Sequence, residues 1–118
     1  MPNVRSLRVW CLGMEIVEGV EQLVARLPRT GAGELRSQMT RAAISIVSNV
    51  AEGAGRGSDR DFKRFVGIAL GSCRELETQL EIVKVLGVGE AEQIAEILEK
   101  VDHEGRMLRR LSQTLELA

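Results

Sequence analysis

FKRFVGIALGSCRELETQLEIV, residues 62–83, decides the fold. Within it Phe62, Val66, Ala69, Cys73, Leu76, Leu80 and Val83 recur at an unbroken 4-3-4-3-4-3 spacing. An α-helix puts such positions on one stripe, and this alternation is the seam of a left-handed helix pair. Ser58 stands before the run with Asp61 three residues later, a capping-box-like start. Gly87 and Gly89 mark its end.

Working outward, the stretch before it is RAAISIVSNVAEGAGR, residues 41–56. Leu35, Met39, Ala42, Ala43, Ile46 and Val50 give a second helix its core face, and the glycines 53, 55 and 57 turn the chain. Earlier still, Leu7, Trp10, Met14, Val17 and Val24 follow helical spacing, and so do Leu12, Ile16, Val20, Leu23 and Leu27. One apolar line serves a helix on its own core; two lines predict burial on a second side, against another copy of the chain. After Gly89, the residues Ala91, Ile94, Leu98, Val101, Gly105, Leu108 and Leu115 outline a fourth helix.

The punctuation agrees with four helices. Prolines occur only at 2 and 28, and glycines cluster at 31–33, 53–57 and 87–89. No alternation of period two suggests a strand. The predicted helices run roughly over 5–27, 34–54, 58–86 and 90–115 in one domain, 1–118. At 1.5 Å per residue they span roughly 30–42 Å each, and short connectors make sequential neighbours antiparallel. The expected fold is all-α, an antiparallel up-down-up-down four-helix bundle.

Composition narrows the function. A net charge of −1 argues against a chain dominated by a phosphate-binding face, although the arginines crowd residues 1–42 and 56–74 while 75–104 is mostly acidic. Two cysteines, Cys11 and Cys73, in apolar helical patterns fit a reduced, cytoplasmic chain. No apolar run reaches membrane-spanning length and no signal peptide is apparent, so no membrane contact is expected.

Several side chains invite a functional reading. Arg41, Ser45, Asn49, Glu52 and Arg56 share one face of the second helix, and Arg64, Ser72, Glu75 and Gln79 flank the seam of the third. Antiparallel packing would turn Arg41 towards Glu75 or Gln79 and Glu52 towards Arg64. Polar groups in a packed helix must be paired, so Arg41, Ser45, Asn49, Glu52, Glu75 and Gln79 are expected to form a polar layer, with Asn49 and Glu52 at least half-buried. Such a layer sets helix register or lines a groove for a partner. Arg56, Arg60, Lys63 and Arg64 form a basic turn, the best candidate for touching RNA phosphates; a solvated face is the commoner meaning of such a run. Gly67 and Gly71, costly inside a helix, predict a close helix approach.

No catalytic residue, metal site or cofactor is expected. The single histidine, His103 in KVDHEGR, lacks the Glu-x-x-His setting of di-metal bundles. Cys73 has no histidine partner in any motif. The 53–57 glycines lack the preceding strand and the lysine of a phosphate-binding loop.

Three strings together, LRVW at 7–10, RAAISIVSNVAEGAGR at 41–56 and FKRFVGIALGSCRELETQLEIVKVLG at 62–87, resemble the 23S rRNA-intervening-sequence proteins, a family of four-helix bundle proteins. The resemblance covers roughly the first three helices. It implies a homopentamer in the bacterial cytoplasm and no established enzymatic activity. It also implies contact with RNA or a ribonucleoprotein, because some members are encoded within ribosomal RNA genes. A related branch consists of accessory proteins of diversity-generating retroelements. Two departures stand out: Thr40 occupies a position where the family commonly has arginine, and Val47 one where it commonly has proline. The first lowers the charge of the polar stripe; the second should leave the second helix straighter.

Overall fold

A computed structural model describes residues 3–29 and 32–117. Thr30 and Gly31, part of the first predicted connector, lie outside the described residues, as do residues 1, 2 and 118 of the expected domain. The described chain folds into helices α1 (Arg8–Arg26), α2 (Gly33–Ala54), α3 (Asp59–Leu86) and α4 (Ala91–Leu117), with no strand among these residues. Each helix packs on its neighbours in chain order and α1 closes against α4, while neither diagonal pair of helices approaches closely. The result is a square bundle of 47 × 20 × 19 Å.

Local chemistry explains the ends. Arg5 lies outside α1, in a short 3-10 turn over Val4–Ser6 capped by the Asn3 carboxamide, which accepts from the Arg5 N–H at 3.1 Å. Pro28 follows Leu27 and forbids continuation of α1. At the start of α3 the Ser58 hydroxyl accepts from the Asp61 N–H at 3.2 Å, satisfying one of the orphan donors of the first turn. Gly87 ends α3 in the left-handed region, φ 67°, where a side chain would be strained. α2 runs unbroken through Val47.

Contacts between helices show the antiparallel course. At one end, a Cβ on Gly89 would meet Ile94, Val83 and Leu23, and Arg26 pairs with Glu90 at 3.5 Å. At the other, the end of α2 lies on the start of α3, where Gly53 admits Phe62 and Phe65. There too the first turn of α1 and the last turns of α4 line one groove, from Leu7 and Val9 to Met107 and Leu111. The core between these ends is apolar and continuous, with Ile16, Leu23, Met39, Ile46, Val66, Leu76, Leu80 and Leu108 essentially inaccessible. Burying each such side chain stabilises the fold by about 1.5–3 kcal/mol. All seven seam residues of α3 are buried.

Candidate functional site

The predicted polar stripe separates into three parts. Its core is a small network between α2 and α3. Asn49 donates to the Ser45 carbonyl at 2.8 Å and to the Ser45 hydroxyl at 3.0 Å, and the buried Ser72 donates to the same hydroxyl at 2.8 Å. Ser45 is thus the hinge of the network and Ser72 its contribution from α3. Asn49 is half-buried, but it bonds within its own helix and not to α3.

Arg41 and Glu75 form a second part. Both are exposed and face each other across an open groove whose floor is Ala42 and Ser45, with Gln38 at the rim. No ion pair joins them among the described residues. Gln79 is buried one turn further on, with Oε1 unpartnered, and takes no part in the Ser45 network.

Glu52 corrects the expectation. It is exposed, and its carboxylate pairs with Arg56, one turn on, at 3.6 Å. It does not reach Arg64, which leans on Asp61 at 3.9 Å. The reason is rotation about the α2 axis. Gly53 and Ala54 take the inward positions against Phe62 and Phe65, which turns Glu52 to solvent.

The basic turn has its own order. The guanidinium groups of Arg56 and Arg64 lie over the Phe65 ring, 5.0 and 4.4 Å from its centre. Cation–π attraction holds both at the surface in a defined arrangement. Arg60 is exposed and Lys63 half-buried beside them. The expected close approach over Gly67 and Gly71 is absent within the chain: a Cβ at either would meet nothing within 4 Å.

One buried polar residue escaped the sequence reading. Glu104 of α4 is 0% exposed, and both carboxyl oxygens lack a hydrogen-bond partner. Its socket is opened by Gly13 of α1, where a Cβ would lie 3.1 Å from Glu104 Oε2, 2.5 Å from Val47 Cγ1 and 3.7 Å from Ile46 Cγ2. Desolvation raises the Glu104 pKa to about 8. The buried Cys73 thiol of α3 is pushed up to about 12, by desolvation first and by the nearby Glu104 second. A signal did exist in the sequence. Beside the buried Gly105, the inward side chains of α4 are Ile94, Ile97, Val101, Glu104 and Leu108, a 3-4-3-4 spacing that places a carboxylate on the seam. Leu98, assigned to that seam from the sequence, is only half-buried.

Among the described residues no three His, Cys, Asp or Glu side chains gather as a metal site, and no helix is long and apolar enough to cross a membrane. Residues 5–110 match the sequence pattern of the 23S rRNA-intervening sequence protein family. The chain belongs to that family. Among solved structures it is similar to a protein with unknown function from the S23 ribosomal protein family of Bacteroides thetaiotaomicron VPI-5482. That likeness has a TM-score of 0.76 at 21% identity over 88% of this chain and 97% of the other, and it speaks for the bundle alone. No curated protein matches the chain. On this bundle the candidate functional features are the Ser45 network, the arginine-flanked Phe65 and the groove between Arg41 and Glu75.

Proposed function

We propose that this family member is a non-enzymatic assembly protein, a homo-oligomeric four-helix bundle that serves as scaffold or adaptor. The observation that carries the reading is the outer apolar line of α1. Met14 is 42% exposed, and Trp10 and Val17 of the same line are only half-buried at the edge of the core, while Val24 joins it. Ile44, Ile68 and Ile82 add exposed apolar surface on α2 and α3. Such surface supports a contact with another copy of the chain. The family resemblance supports a closed ring of five. Light scattering at micromolar concentration is expected to report a multiple of the 13.0 kDa chain mass. Met14→Glu is expected to lower that mass while leaving the helical circular dichroism intact. A wild-type monomer would remove the reading.

A second reading, an RNA- or ribonucleoprotein-binding accessory factor, rests on how the fold distributes charge. To Arg56, Arg60, Lys63 and Arg64 the bundle adds Arg5 from the turn before α1, Arg8 from the start of α1, and Arg106, Arg109 and Arg110 from the second half of α4. Glu52, Asp59 and Asp61 offset part of this charge. The opposite end carries Glu81, Glu90, Glu92, Glu96 and Glu99, of which Glu90 pairs with Arg26 and Glu81 with Lys84. A chain of net charge −1 thus has one basic pole suited to phosphate contacts.

A further inference from the structure

We propose that Glu104 is a proton latch: protonated, it lies in the apolar crossing of the four helices and lets α4 pack; ionised, it loosens α4 from the other three.

The geometry supplies the reasons. Glu104 is wholly buried in the middle of α4, and neither carboxyl oxygen meets a hydrogen-bond partner. An ionised carboxylate in such a place costs far more than a neutral carboxyl, because nothing replaces its lost hydration. The charges on the surrounding helices do not compensate. From α1 the socket presents Gly13, and the nearby Glu15 turns outward to Lys100 at 3.5 Å. From α2 it presents Ile46 and Val47, which do not titrate. From α3 it presents the Cys73 thiol, which stays protonated; Arg74 and Glu77 near it pair with each other at 3.6 Å on the outside. On α4 itself Asp102 and Arg106 pair at 3.2 Å on the outer face, and His103 is exposed. Glu104 therefore has no cation to hold its charge.

The direction with pH follows. The folded-state pKa of Glu104 is raised from 4.5 to about 8. The native bundle thus keeps a proton that the unfolded chain has already released. The stability due to that proton is fully present below about pH 4.5 and is lost as pH rises through about 8. A bundle held by ordinary exposed carboxylates shows no such loss on the alkaline side.

The test is urea unfolding of the full chain at one protein concentration, across roughly pH 5.5 to 8.5, beside Glu104→Gln. The wild-type folding constant is expected to fall by up to about tenfold per pH unit relative to the glutamine variant, the limit for one proton. Parallel pH profiles would overturn the latch. If Glu104→Gln does not fold, infrared spectroscopy of the wild type decides instead. A neutral carboxyl stretch present at pH 6.5 and fading as pH rises through about 8 supports the proposal, and its absence at pH 6.5 sinks it. Methyl resonances of Ile97, Val101 and Leu108 locate the change. They are expected to broaden in the wild type as pH passes about 8, and unaltered resonances would refute the loosening of α4.

Discussion

Gly13 is a glycine with no room for a side chain. An added Cβ there would lie 2.5 Å from Val47 Cγ1, a distance real Cβ contacts do not reach, so Gly13→Ala forces α1 away from α2. The expected loss is about 1–3 kcal/mol by urea unfolding, and the double variant with Val47→Ala recovers part of it. Gly105 makes the contrast. It is buried too, yet a Cβ there meets nothing within 4 Å. Gly105→Ala is expected to gain up to about 1 kcal/mol from helix propensity in the same measurement. Two buried glycines in one bundle thus answer opposite ways, and only their surroundings distinguish them.

At the scale of the helix, α3 was the most legible element. Its 4-3-4-3-4-3 seam, its Ser58 cap and its Gly87 stop are all local signals, and all three hold in the structure. What the sequence misplaced was the use of Gly67 and Gly71. Their outward face is open, so no intrachain contact offsets their helix cost. Replacing both by alanine is expected to raise the urea midpoint, by up to about 1 kcal/mol per site. A drop would place a second copy over that face of α3. In α4 the apolar residues Ile94, Ile97, Leu98 and Val101 offer two spacings that differ by a small rotation. Local pattern does not choose between them. Packing against α1 and α3 does, and it brings Glu104 inside.

Considered whole, antiparallel packing brings the starts of α1 and α3 and the second half of α4, with their arginines, to one end of the 47 Å bundle, while Arg26, Arg36 and Lys84 lie towards the other. On the ribonucleoprotein reading, structured RNA is retained by micromolar protein at low salt and released steeply as salt rises, since each neutralised phosphate frees counterions. Ring assembly would multiply weak single contacts. Reversing Arg60 and Lys63 to glutamate is expected to abolish retention without changing the oligomer mass, because neither occupies the α3 seam. Filter binding measures the retention and light scattering the mass, and failure of the wild-type protein to retain RNA at low salt leaves the scaffold reading alone.

The sequence by itself determined four helices, the seam of α3 and the antiparallel bundle, because helical periodicity and glycine punctuation are read within a few residues. It also singled out Ser45 and Asn49 as polar groups on a packed face. Only tertiary structure decided where the polar side chains went. Whether Glu52 faces Phe62 or water, whether Ser72 reaches Ser45, and whether Glu104 is inside depend on how each helix is rotated about its axis. That rotation is set by side chains distant in sequence: Phe62 and Phe65 against Gly53, and Val47 against Gly13. A one-dimensional pattern carries the stripe that is buried, but its exact edges are drawn by the volumes that must fit across the core.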